Sequence, residues 1–146
     1  MNSSRTILYH RLLYVLMVLL MGGSLFFPCY INRSPDLDNN LVTFTQYGYE
    51  SIGVLMIVLI HLVGIAPIFN LIKLYESKRE SNARLAKRIS FLALGLCFFM
   101  IYTFYNNTRI GTVYSAPGIG MWLISSLSLT LVIISARLEN LMASEK

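Results

Sequence analysis

Four long apolar stretches follow one another in a chain of only 146 residues. That spacing constrains the fold more than any other feature. A helix needs roughly 17–25 apolar residues to cross the hydrocarbon of a bilayer. The first stretch runs from about Ile7 to Pro28 and is free of charge from Leu12 to Phe27. The second covers Ser51 to Ile72, the third, Ile89 to Tyr105, is the shortest, and the fourth runs from about Pro117 to Ala136. None shows the period-2 alternation of a membrane barrel strand. Little chain is left over for a soluble domain. Composition agrees, because 13% of the residues are charged, against about 25% in a soluble domain. So few charges cannot cover a water-facing surface, and 55% hydrophobic residues is too many for a disordered chain. The expected fold class is all-α: a polytopic membrane protein built as one four-helix bundle over residues 1–146. Its helices are expected at about 7–28, 51–72, 86–105 and 117–137, with outer loops 29–50 and 106–116 and a basic inner loop 73–88.

Lys and Arg set the orientation. The segment KLYESKRESNARLAKR between the second and third stretches holds Lys73, Lys78, Arg79, Arg84, Lys87 and Arg88. Arg5 and Arg11 lie at the N-terminal end, and Arg137 and Lys146 at the C-terminal end. The other two loops hold only Arg33 and Arg109. The positive-inside rule therefore expects both termini and the middle loop in the cytoplasm. A basic face of this kind suits anionic lipid headgroups or a cytosolic partner. Nucleic acid is not expected, since no folded module presents the charge. The compact, tail-poor chain reads as a protein of a bacterial inner membrane. The first stretch has the basic start and small residues (Gly22, Gly23, Ser24) of a signal peptide. Its apolar run continues through Phe26 and Phe27, so retention as a helix is expected.

The outer loops are polar and turn-rich, with NRSPDLDNN followed by LVTFTQYGY. The latter is β-prone and leaves room for a short strand or hairpin against the bundle mouth. Tyr30, Tyr47, Tyr49, Tyr102, Tyr105, Tyr114 and Trp122 lie near the outer boundary, as in an interfacial aromatic belt. Asn32-Arg33-Ser34 and Asn106-Asn107-Thr108 match the glycosylation triplet, but no glycan is expected in a bacterial protein.

Within the stretches, His61 is the one ionisable side chain placed deep. Buried ionisable groups in membranes face the bundle or a cavity, so it is either a proton-handling residue or a neutral histidine bonded to a neighbouring helix. With Asn70, Ser125 and Ser128 it makes up a candidate intramembrane polar site. Gly53, Gly64, Gly118 and Ser135 are candidate packing positions, because small residues let helix backbones approach. Whether they pack within or between protomers is open; if between, Gly64→Leu or Ser125→Leu changes the oligomer mass. Gly22-Gly23-Ser24 suggests a bend or close contact, and Pro67 a kink, with Asn70 placed to take up a freed backbone group. Cys29 and Cys97 fall at different depths, which argues against a bridge but leaves Cys29 free to pair between chains. Two cysteines and two histidines (His10, His61) have no metal-ligand spacing, and no nucleophile elbow, phosphate loop or dinucleotide fingerprint is present. No enzyme activity and no cofactor are expected.

The segments LFFP at the end of the first stretch, GIAPIFNLIKLY at the end of the second and APGIGMWL at the start of the fourth resemble the four-helix membrane domain of the paraquat-inducible protein A family. The likeness spans most of the chain as a pattern, without that family's zinc-binding cysteine pairs or its duplication. It implies the four-helix architecture and, from the family's role, lipid movement between bacterial membranes. The residues themselves point first to a non-enzymatic membrane subunit that self-associates and works with a partner protein, as a sensor or small transport component. An immunity protein against a membrane-acting toxin, a membrane component of an anti-phage or stress system, and a lipid-transfer subunit are the alternatives.

Overall fold

The computed structural model describes residues 3–35, 38, 40–71, 79–107 and 114–144. It contains four helices, α1 (Ser3–Ser24), α2 (Ile52–Phe69), α3 (Arg79–Asn107) and α4 (Ile119–Ala143). Each is long and apolar enough to cross a membrane. Three strands accompany them, β1 (Pro28–Pro35), β2 (Leu41–Tyr47) and β3 (Tyr114–Pro117). The all-α expectation is therefore corrected: the helices are joined by a small antiparallel sheet of order β2-β1-β3.

The sheet explains why α1 stops four residues before Pro28. The N–H groups of Leu25, Phe26 and Phe27 bond back to the carbonyls of Gly22, Gly23 and Ser24, a tight last turn that satisfies helix-end carbonyls. The apolar run continues past this turn, but Pro28-Cys29-Tyr30-Ile31 is strand. A Cβ added at Gly22 or Gly23 would meet nothing within 4 Å, so no close packing demands glycine there. β2 forms from LVTFTQY, whose β-branched and aromatic side chains suit a pleated surface. It pairs with β1 from Pro35↔Leu41 to Pro28↔Tyr47, with a register shift between Pro28 and Tyr30. Neighbouring residues of a regular strand point to opposite faces. The shift lets both Cys29 and Tyr30 turn into the protein. β3 pairs on the other side of β1, from Tyr30↔Pro117 to Arg33↔Tyr114. Ser115 Oγ donates to Asn32 Oδ1 at 2.6 Å across this pair.

The helices form a ring in which α3 packs most closely on α4, followed by α2 on α3 and α1 on α4. α1 also meets α2, so α1 lies across from α3 and α2 across from α4. The start of α1, the end of α2, the start of α3 and the end of α4 lie at one end of this antiparallel ring. The sheet lies at the other. α2 ends earlier than expected, at Phe69. Pro67 sits in its last turn, and Asn70 adopts the left-handed conformation (φ 54°) that closes the helix. Pro67 thus belongs to a helix terminus and not to a mid-helix kink. α3 begins at Arg79, inside the basic segment, and α4 continues to Ala143. Outward-facing side chains such as Leu16, Leu19, Leu59, Leu92, Phe98 and Leu129 are large, apolar and at least half exposed. An apolar exterior of this extent is the surface a hydrocarbon-solvated bundle presents.

Candidate functional site

The polar residues of the helices meet in the core of the ring, in layers. His61 on α2 is fully buried and its Nε2 lies 3.1 Å from Ser128 Oγ on α4, across the diagonal. Cys97 on α3 joins the same hydroxyl, Sγ to Oγ 3.6 Å. The imidazole Nδ1 is buried with no hydrogen-bond partner. The geometry therefore favours the tautomer with its proton on Nε2, since a bare lone pair is a smaller loss than a bare donor. No acceptor awaits a second ring proton. Ser125, one turn from Ser128, turns its hydroxyl to the Met121 carbonyl of its own helix at 2.9 Å.

A second diagonal contact lies closer to the end away from the sheet. Tyr14 on α1 is fully buried, and its hydroxyl lies 3.2 Å from Ser90 Oγ on α3. Gly64 on α2 makes the space for it: a Cβ there would strike the Tyr14 hydroxyl. At the end away from the sheet, Asn82 Nδ2 donates to Asn70 Oδ1, tying the end of α2 to the start of α3. Glu139 on α4 accepts from Arg84 Nε at 2.9 Å and pairs with Lys87.

The opposite end is closed by the sheet. Tyr30 is almost fully buried and stacks on Phe104 of α3, with ring centroids 3.9 Å apart. Its hydroxyl reaches the sulfurs of Met100 and Met121 at 3.9 and 3.8 Å. Burial pushes its phenol up to about 12. Beside it, Cys29 is fully buried, and burial pushes its thiol up to about 11. The thiolate is the reactive form of cysteine. Cys29 is sealed inside the protomer by the docked sheet, so the structure gives the expected pairing between chains no exposed thiol. The sheet meets α4 through glycines. A Cβ on Gly120 would lie 2.8 Å from both Cys29 Sγ and the Phe27 carbonyl, and one on Gly118 would strike the Pro28 carbonyl.

These positions assign the sequence-derived candidates. The structure brings His61 and Ser128 together. It leaves Ser125 bonded to its own helix and moves Asn70 out of the polar site to the helix end. Gly53 packs on Met100 of α3 and Gly64 on Tyr14, both inside the protomer. Ser135 is also buried and donates to the Val132 carbonyl. Gly118 serves the sheet junction and not a helix pair. Among the basic residues, Arg84 and Lys87 clasp Glu139, and Arg88 is exposed. Arg79 opens α3, and Lys73 and Lys78 lie outside the described residues. Sequence reading missed the Tyr14–Ser90 contact. Its one signal was a tyrosine well inside an apolar stretch, away from the interfacial belt, where a buried hydroxyl needs a partner. Among the described residues, no three His, Cys, Asp or Glu side chains gather in a way that could hold a metal.

Gly64→Leu is accordingly expected to destabilise the monomer by about 1–3 kcal/mol through overpacking, with oligomer mass unchanged. Thermal unfolding and native mass spectrometry of the variant check this together. An altered mass at wild-type stability would put Gly64 between protomers instead.

An apolar groove of about 500 Å³ runs along the outside of α1 and α4. Leu19, Leu20, Phe27, Leu123 and Leu127 line it, with Gly23, Ser24, Ser126 and Thr130 between them. The three hydroxyls donate to carbonyls of their own helices at 2.6–2.9 Å, so the groove offers little polar recognition.

Fold and core together define a closed four-helix protein of membrane-spanning dimensions, capped at one end by a three-stranded sheet. No protein-family model, curated protein or solved structure matches this chain.

Proposed function

We propose that this chain is a non-enzymatic, multi-pass subunit of a bacterial inner membrane, with both termini in the cytoplasm, that acts by association. It serves as the sensing or anchoring member of a larger assembly, or as a small transport subunit of one. One observation carries this reading. The intramembrane polar side chains are bonded to each other or to their own helices: His61 and Cys97 to Ser128, Tyr14 to Ser90, Ser125 and Ser135 to backbone carbonyls. A core arranged this way stabilises the bundle and presents no polar path. Gly53, Gly64, Ser125, Ser128 and Ser135 are used inside the protomer, which leaves the sheet, the basic end and the α1–α4 groove for contacts with other proteins. Immunity against a membrane toxin and membership of a defence system are particular forms of such association, separated by the identity of the partner.

Native mass spectrometry of the protein from its own host, in mild detergent, tests the proposal. A discrete oligomer or partner complex is expected. A bare monomer would sink it. A monomer holding phospholipid would favour the second reading, lipid handling, which the α1–α4 groove and the resemblance to the paraquat-inducible protein A family support. In proteoliposomes, wild type and His61→Ala are expected to show the same low proton permeability. A pH-dependent current abolished by His61→Ala would refute the closed core.

A further inference from the structure

Among the described residues, β2 is bonded to β1 alone. Among the described residues nothing bonds the other edge of Leu41–Gln46, which leaves its backbone N–H and C=O groups for another strand, while the Tyr47 N–H donates to the Glu50 carboxylate at 2.8 Å. Proteins blunt such edges with short length, Pro, Lys or a bulge. The opposite edge of this sheet follows that rule, since β3 has four residues and ends in Pro117. β2 does not. Leu41–Tyr47 is seven residues long and contains no charge and no proline, and the register shift of its ladder lies in β1, opposite Gln46 and Tyr47 and away from Phe44. Leu41 and Phe44 are 66% and 58% exposed. Phe44 lies three residues farther from the bundle than Tyr47, about 10 Å along the strand, so its exposure belongs to the region outside the helices.

The composition of this edge selects its occupant. Thr43-Phe44-Thr45 reads the same in both directions. An antiparallel copy centred on Phe44 sets Phe44 against Phe44, Thr43 against Thr45 and Val42 against Gln46. Aromatic pairs and Thr pairs are favourable across antiparallel strands, and opposed like charges are not; here no charges meet. The contact is the same patch on both copies and closes after two. We propose that the protein forms a homodimer through antiparallel pairing of β2 with β2 of a second copy, giving one continuous six-stranded sheet. This inference rests on the reading that the chain acts by association, and it names the partner.

Cysteine crosslinking in native membranes tests it. Directly opposed residues of antiparallel strands have Cα atoms about 4.5–5.5 Å apart, within the roughly 4.4–6.8 Å that a disulfide spans. Phe44→Cys is expected to give a disulfide-linked dimer under mild oxidation, and Ile119→Cys, equally exposed but remote from β2, to give none. The native Cys29 and Cys97 are buried and serve as a silent background. Phe44→Lys opposes two cations at the centre of the pairing and is expected to convert the dimer to a folded monomer by native mass spectrometry. A dimer that persists in Phe44→Lys, or a Phe44→Cys protein that stays uncrosslinked or links to a different protein, would overturn the β2 pairing and leave the association reading standing. A monomeric wild type without partner would overturn both.

Discussion

Tyr30→Ala is expected to lower stability by about 3–5 kcal/mol, the range for emptying a buried aromatic site. The ring is 1% exposed, stacks on Phe104 of α3 and lies between the Met100 and Met121 sulfurs. It is the main anchor between the sheet and the bundle mouth. Its loss opens a cavity at the junction of β1, α3 and α4, where the surroundings include backbone that cannot collapse inward. Tyr30→Phe is expected to cost about 1 kcal/mol, the worth of one ordinary hydrogen bond, because the hydroxyl meets Ser51 besides two thioether sulfurs that are weak acceptors. Thermal unfolding in detergent, followed by circular dichroism, measures both. A second readout separates local from global loss: Cys29 is buried beside Tyr30, and Tyr30→Ala should make it react with a maleimide while wild type does not. An alanine variant as stable as wild type, with Cys29 still protected, would show that the sheet is held by something other than this ring.

Gly118→Ala is the second large effect. Gly118 lies where the sheet passes into α4, and its N–H donates to the Cys29 carbonyl at 2.8 Å. Its backbone conformation (φ −82°, ψ 176°) is open to any residue, so space and not torsion demands glycine. The obstruction is the Pro28 carbonyl and the Cys29 carbonyl carbon, backbone atoms that cannot rotate aside as a side chain does. The added methyl is therefore expected to cost toward the upper end of the roughly 1–3 kcal/mol seen for overpacking. Gly95→Ala is the control. A Cβ there meets nothing within 4 Å, and removing a helix-interior glycine should be neutral or gain up to about 1 kcal/mol. Equal effects at the two positions would contradict the tight sheet–α4 junction.

The sequence was informative where the governing physics is local. Four helices and their approximate spans follow from runs of apolar residues, because the bilayer thickness fixes how long such a run must be. The depth of His61 and the packing role of Gly53 and Gly64 were legible for the same reason. Legibility failed wherever a residue's role depends on a neighbour far along the chain. The apolar run through Pro28 hid the change from helix to strand. YSAP has no strand signature and becomes β3 because β1 offers it an edge. Hydropathy shows that His61 is deep but not that Ser128, 67 residues away, receives it, nor that Tyr14 and Ser90 form the other diagonal. Whether Gly64 packs within or between protomers was decided by the Tyr14 ring beside it. The number and apolar character of the helices are legible in residue order alone, since partition into hydrocarbon depends on composition along a short stretch. The ends of the helices, the sheet and the polar core follow from the tertiary structure, since hydrogen bonds and contacts are properties of pairs that the fold brings together.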